Sequence, residues 1–215
     1  MGLADSDSLV DIILKEEKNF RQNLRQLTKE QVLDHLASLD KILEQSDRFK
    51  KQHSSQMVEY VKRIAQALKY NEDDIQILCE AASLHDIGKE KIDKKILDKP
   101  GKLTEEEYDK VKIHSIYGEI MVDPLSSISM LILHHHERYD GFGYPEGLEK
   151  NKIPLGSRII AVVDAYDAMT NDRPYRKALS KEEAIKELEK CEGTQFDPKI
   201  VNIFLKILNK NKKYK

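Results

Sequence analysis

Cysteine is nearly missing from this 215-residue sequence: Cys79 and Cys191 are the only two. Such a pair supports neither a disulfide framework nor a thiolate metal site, and a reducing, cytoplasmic setting is the expectation. An excess of either charge is missing as well. The 36 lysines and arginines stand against 38 aspartates and glutamates, for a net charge of −2. No overall basic field therefore invites DNA or an anionic membrane. No apolar run approaches membrane-spanning length, and the opening MGLADSDSLV is too acidic and polar for a signal peptide. The expectation is a soluble chain that does not itself insert into a membrane; a longer, membrane-tethered parent is left open. Alternating strand patterns are scarce, and repeats and low-complexity linkers are absent.

What is present is 40% hydrophobic and 34% charged residue, enough in this length for one domain with a full core. Nearly every periodic stretch has helical spacing. Helices are expected near 8–26, 28–46, 54–69, 73–87, 104–121, 126–137, 156–171, 180–191 and 197–209. Thr28 with Gln31, Thr104 with Glu107 and Ser180 with Glu183 are capping-box pairs. Asp197–Pro198 reads as an N-cap with proline at the first helical position, and Gly88 as the end of the helix that carries LCEAASLHD. IIAVV runs on into DAYDAM and reads as a buried helix. The fold class is all-α: a compact helical bundle over residues 47–215, with an added N-terminal helical segment over residues 1–46. That segment is open to three readings: a helical hairpin, a stalk that would make a homodimer, or two helices packed on the bundle. Its leucines span too few turns to establish a coiled coil. The lysine-rich tail KNKKYK reads as a solvated end.

Polar residues then fall on apolar helix faces, where positions three, four and seven apart coincide. His135 lies on the stripe of Ile128, Leu131 and Ile132, with His136 beside it, whereas His134 points away, next to Met130. His53 precedes Met57 by four. His85 follows Leu78, Ala81 and Ala82, with Asp86 four after Ala82; His114 follows Val111; and Asp164 lies among Ile160, Ala161 and Ala168. A lone histidine on such a face is normally a core residue, and an unpaired buried carboxylate costs several kcal/mol. Five helices each directing such groups inward predict a metal site, with one or two metals open. Imidazole with carboxylate suits iron, manganese or zinc.

The motifs LHDIGK (84–89) and HHERYDGFGYP (135–145), with ILDKPGKLTEEE, IPLGSRIIAVVDAYDAMTNDRPYR and GTQFDP, resemble the HD-GYP family, a branch of the HD superfamily of metal-dependent phosphohydrolases. The resemblance runs over roughly residues 46–207. It implies an HD-type bundle, two divalent metal ions (iron or manganese), and hydrolysis of cyclic di-GMP, a bacterial second messenger, to linear pGpG or GMP. The implied ligands are His53, His85, Asp86, His114, His135, His136 and Asp164, the same seven that the face analysis selects. Asp86 would bridge the metals, with His53, His85 and Asp164 on one and His114, His135 and His136 on the other. A hydroxide bridging the metals would attack phosphorus in line with the departing 3′ oxygen. Lys89, the lysine of HDxGK, would hold a non-bridging oxygen or that hydroxide. Arg173 and Arg176 match positions that contact ligand phosphate or guanine, and Tyr144 would hydrogen-bond to the ligand or stack on it. Gly141, Gly143 and Gly147 would permit the turns of the loop, with Pro145 restricting Tyr144. Asp167 reads as structural or as an outer partner, and Glu137 as a group that orients a histidine.

Three departures from the family pattern stand out. Phe49 occupies the place where some members put a glutamate for a third metal, which favours two metals here. EKIDK follows HDIGK in place of a pattern like IGIPD, altering the substrate-side loop but no ligand. Gln56 replaces a usual arginine, with little consequence expected. Two further readings keep part of this picture: the same metals acting on another cyclic or linear nucleotide, and a signalling module that binds ligand with low activity.

Overall fold

Most helices begin where a side chain takes up an N–H that has no partner inside the helix. The computed structural model describes residues 50–122, 126–172 and 177–210, with residues 50–55, 126 and 210 as backbone alone. The expected helices 8–26 and 28–46, the Thr28 cap, Phe49, Arg173, Arg176 and residues 211–215 lie outside this description. The first described helix is α1 (Lys50–Ala67). Helix α2 (Glu72–Leu84) is capped by Asn71, whose side chain accepts from the Asp74 N–H at 2.8 Å. A 3₁₀ turn (Ile87–Lys91) and the short α3 (Lys94–Leu97) follow. Helix α4 (Glu105–Lys112) opens on the Thr104–Glu107 capping box. Then come α5 (His114–Val122), α6 (Ser126–Leu133), a 3₁₀ turn (Lys150–Lys152) and α7 (Leu155–Thr170). Helix α8 (Lys181–Lys190) opens on the Ser180–Glu183 box. In α9 (Pro198–Lys210), Asp197 accepts from the Lys199 N–H at 2.8 Å and proline takes the first helical place.

The core forms where the apolar stripes of α1, α7 and α9 meet. Val61, Ile64, Ile159, Ile160, Ile200 and Phe204 are wholly buried there. Tyr60, Tyr166 and Phe204 stack edge to face, with centroids 5.1 to 5.9 Å apart, each pair worth about 0.5–1.5 kcal/mol beyond its burial. A second layer sits beside this core. Helix α2 packs on α1 and α6, and α5 packs on α6 and on the 3₁₀ turn after α2. Among the described residues there are no strands, only isolated bridges such as Asp140–Glu149, and no helix is long and apolar enough to cross a membrane. The all-α bundle stands.

Four local expectations change. The helix expected over 104–121 breaks at Ile113 into α4 and α5, the helix over 73–87 stops at Leu84, and that over 126–137 stops at Leu133. Gly88 does not end α2. It sits inside the 3₁₀ turn, while His85 forms the helix end in right-handed geometry. The reason for glycine is contact: a Cβ on residue 88 would run into the His114 carbonyl and the Gly118 backbone nitrogen. Backbone thus meets backbone where the turn carrying His85 and Asp86 docks on the helix carrying His114. Gly88→Ala is expected to destabilise the fold by roughly 1–3 kcal/mol, the usual range for an overpacked interior, read as a lowered denaturation midpoint with an unchanged denaturant slope.

Candidate metal centre

The last carbonyls of an α-helix have no partner within it. Three helices here put a histidine just past their last residue. His85 follows α2, His114 follows α4 by two residues, and His135 follows α6 by two. Each turns its Nδ1 onto the carbonyl three residues back: Ala82 at 2.7 Å, Val111 at 2.7 Å and Ile132 at 2.6 Å. A carbonyl only accepts, so Nδ1 carries the proton and donates, and Nε2 is the atom left to face the interior. Backbone carbonyls thus fix the imidazole orientation, a task that metal sites often give to carboxylates.

The Nε2 atoms converge on Asp86. Its Oδ1 lies 3.6 Å from His114 Nε2, and its Oδ2 lies 3.5 Å from His85 Nε2 and 2.6 Å from the Lys89 ammonium, which donates to it. Asp86 therefore presents one oxygen to each half of the cluster. Asp164, from α7, reaches His85 Nε2 at 3.7 Å. On the other side His114, His135 and His136 crowd together, with ring centroids 3.9 to 5.4 Å apart. One donor atom from each of Asp86, His114, His135 and His136 lies within 4.8 Å of all the others. The Nε2 atoms of His114 and His135 are buried without any hydrogen-bond partner. Orphaned imidazole nitrogens aimed at a partly exposed carboxylate fit a cation, which would use those lone pairs.

Charge separates the two halves. Burial holds the His135 and His114 imidazoles below their usual range, and it takes His136 down to about 3, so all three are neutral lone-pair donors at pH 7. His85 goes the other way: burial opposes its charge, but Asp86 and then Asp164 outweigh burial and raise it to about 9. Burial resists ionisation of Asp86 too, yet Lys89, His85 and His114 hold its carboxyl well below the ordinary range. Asp164 is likewise lowered, because the facing His85 outweighs burial. Over the cluster lies Tyr144, its ring 4.9 Å from His136 and inclined by 34°. Burial pushes its hydroxyl upward, so it stays a neutral donor.

His53 belongs to the first turns of α1, but its side chain is among those not described, so its place in the cluster stays an expectation. The same holds for Arg173 and Arg176. Asp167 is half-buried one turn beyond Asp164 and is not one of the four convergent residues. Two expectations are corrected. His134 is 1% exposed rather than outward, because α6 stops at Leu133 and the 100° step no longer governs the turn that follows. Glu137 does not orient a histidine of the cluster. Its carboxyl oxygens accept the N–H groups of Glu146 at 2.8 Å and Leu148 at 3.0 Å, and its approach to His134 Nδ1 is 3.8 Å, beyond hydrogen-bond range. The carbonyl partners of the histidines were overlooked in the sequence. The signal for them is a histidine three residues after an apolar or small residue at a helix end.

Stability of the metal-free protein should peak near neutral pH. His135 and His136 are neutral when folded and protonate when unfolded below about pH 6.5, so stability is lost as pH falls below that value, for His136 down to about 3. His85 is raised in the fold; its contribution is complete below about 6.5 and is lost as pH rises through about 9. Denaturant titrations of chelator-treated protein should show both limbs, with His85→Asn flattening the alkaline one.

The HD-domain family model matches residues 37–200. A cyclic di-GMP phosphodiesterase of Thermotoga maritima is 39% identical over 177 residues, covering 80% of this chain and 48% of that protein. A 3′3′-cGAMP-specific phosphodiesterase of Vibrio cholerae is 36% identical over 177 residues, covering 81% of this chain and 38% of the other. This chain therefore spans about half, or less, of the length of these curated relatives. Among solved structures, Bd1817, described as an HDG"Y"P protein from Bdellovibrio bacteriovorus, superposes with a TM-score of 0.61 at 18% identity, over 97% of this chain and 74% of that one. That likeness is one of fold.

Proposed function

This chain belongs to the HD-domain family, in its HD-GYP branch, and we propose that it hydrolyses cyclic di-GMP to linear pGpG, GMP or both. The observation that carries the reading is the convergence of Asp86, His114, His135 and His136, with His85 and Asp164 alongside, beneath Tyr144. His114, His135 and His136 would hold one divalent ion, and His53, His85 and Asp164 a second, with Asp86 shared between them. Imidazole and carboxylate together suit iron or manganese. Bound there, such ions supply Lewis-acid activation of water and neutralise charge on the phosphodiester.

The residues of the chain do the rest. Lys89 holds Asp86 ionised and offers its remaining donors to a non-bridging phosphate oxygen. Tyr144, neutral and enclosed, donates to the ligand or lies against it. Arg173 and Arg176 would take phosphate or a guanine edge with their planar forks of donors. Water is consumed, the bond from phosphorus to the 3′ oxygen breaks, and that oxygen leaves with a proton as a 3′-hydroxyl. The sequence likeness to a cGAMP-specific enzyme is the observation that supports a second substrate, a hybrid cyclic dinucleotide at the same centre.

Protein purified without oxygen and loaded with iron(II) or manganese should convert cyclic di-GMP to products separable by chromatography. Asp86→Ala should lose roughly 100-fold or more, beyond the 10–100-fold typical of a lost outer partner. Faster turnover of 3′3′-cGAMP in the same assay would move the assignment to the hybrid substrate. Absence of any turnover despite bound metal would sink the hydrolase reading.

A further inference from the structure

We propose that Glu137 is a positioning residue that sets substrate affinity by holding Tyr144 over the histidines; this rests on the phosphodiesterase reading above. The Glu137 side chain is fully enclosed, and both of its oxygens serve one loop. Oε1 takes the Glu146 N–H and Oε2 the Leu148 N–H, just beyond the Tyr144–Pro145 peptide. Before that peptide, the Tyr144 N–H donates to the His136 carbonyl at 3.3 Å. Gly143 lies against the Glu137 and Arg138 backbone so closely that no Cβ fits. Tyr144 is thus held on both sides by residues 136 to 138, which leave the histidine turn directly.

Beyond Tyr144 the two Glu137 bonds anchor the loop, whereas its first half is closed by the Gly141 N–H to the Arg138 carbonyl at 2.9 Å and the Phe142 N–H to Asp140 Oδ1 at 3.2 Å. Phe142, at its tip, is 85% exposed and adds no burial to hold it. The arms of the loop are tied elsewhere: Asp140 N–H to the Thr194 carbonyl at 2.8 Å, Tyr139 N–H to the Gln195 carbonyl at 3.1 Å, and Lys150 N–H to the Tyr139 carbonyl at 3.0 Å. Loss of Glu137 therefore frees the second half of the loop, residues 145–148, while the arms and the histidine carbonyl bonds stay in place. The Tyr144 ring is thus held by its own N–H bond to the His136 carbonyl on one side and by that one carboxyl group on the other.

The test is a double-mutant cycle on metal-loaded protein: Glu137→Ala, Tyr144→Ala and the pair. Each would be assayed on cyclic di-GMP and on bis(p-nitrophenyl) phosphate, a diester without bases. Glu137→Ala should raise KM for the dinucleotide by roughly tenfold, the order of one lost stacking contact. Its metal content and its rate on the small diester should hold within about twofold, and the pair should be no worse than Tyr144→Ala alone. Glu137→Gln, which keeps one acceptor, should fall between, and it carries the cycle if the alanine variant does not fold. Additive effects in the pair, or equal losses on both substrates, would overturn the proposal. If the wild type were inert toward cyclic di-GMP, the substrate reading would fall. Amide exchange would still judge Glu137, because unchanged protection of residues 145–148 in Glu137→Ala removes its positioning role.

Discussion

The hydrogen bond from a histidine Nδ1 to the last carbonyls of a helix is the interaction on which this centre depends. It occurs three times, at Ala82, Val111 and Ile132, and each instance meets two needs at once. A carbonyl at a helix end gains a side-chain donor, and an imidazole is locked with Nε2 pointing inward. Three of the seven proposed ligands are therefore oriented by main chain, which does not titrate.

Close approach of backbones brings those helix ends together. The turn after α2 meets α5 where Gly88 lies on the His114 carbonyl and the Gly118 nitrogen, and a side chain at Gly88 would push His85 and Asp86 away from His114; at Gly118 it would instead meet Ile132 of α6. At α7 a glycine makes room for side chains instead. Gly156 lies against Leu131 and Leu78, and the Ser157 hydroxyl donates to the Leu131 carbonyl at 2.9 Å, so the helix bearing Asp164 is seated against α6. The core of α1, α7 and α9 supplies the platform, and the second layer, α2, α5 and α6, converges its chemistry on one edge of it.

Electrostatically the cluster is divided. One half holds neutral imidazoles with lone pairs and no partner; the other holds two carboxyl groups, an ammonium and a protonated His85. Asp86 faces both, an arrangement suited to a shared ligand. Above it the Tyr144 loop brings an aromatic ring and a neutral hydroxyl to the mouth of the site, held from below by the turn that carries the histidines.

Much of this was legible in the residues. Helical period marked α7 as a helix despite its strand-like IIAVV, the capping boxes at Thr104 and Ser180 are formed as read, and six of the seven expected ligands have described side chains that converge. Periodicity could not mark the break at Ile113 or the stop at Leu133, because an apolar phase carries through both while the backbone changes course. For the same reason His134 was turned outward on paper and is buried in the fold, and Glu137 was given to a histidine although it serves a loop nine and eleven residues on. The sequence by itself determined the helical class and the identity of the polar groups on apolar faces, since both follow from local spacing and residue chemistry. Only the tertiary structure decided which oxygen faces which nitrogen and what holds Tyr144 in place, because those depend on contacts between segments distant along the chain.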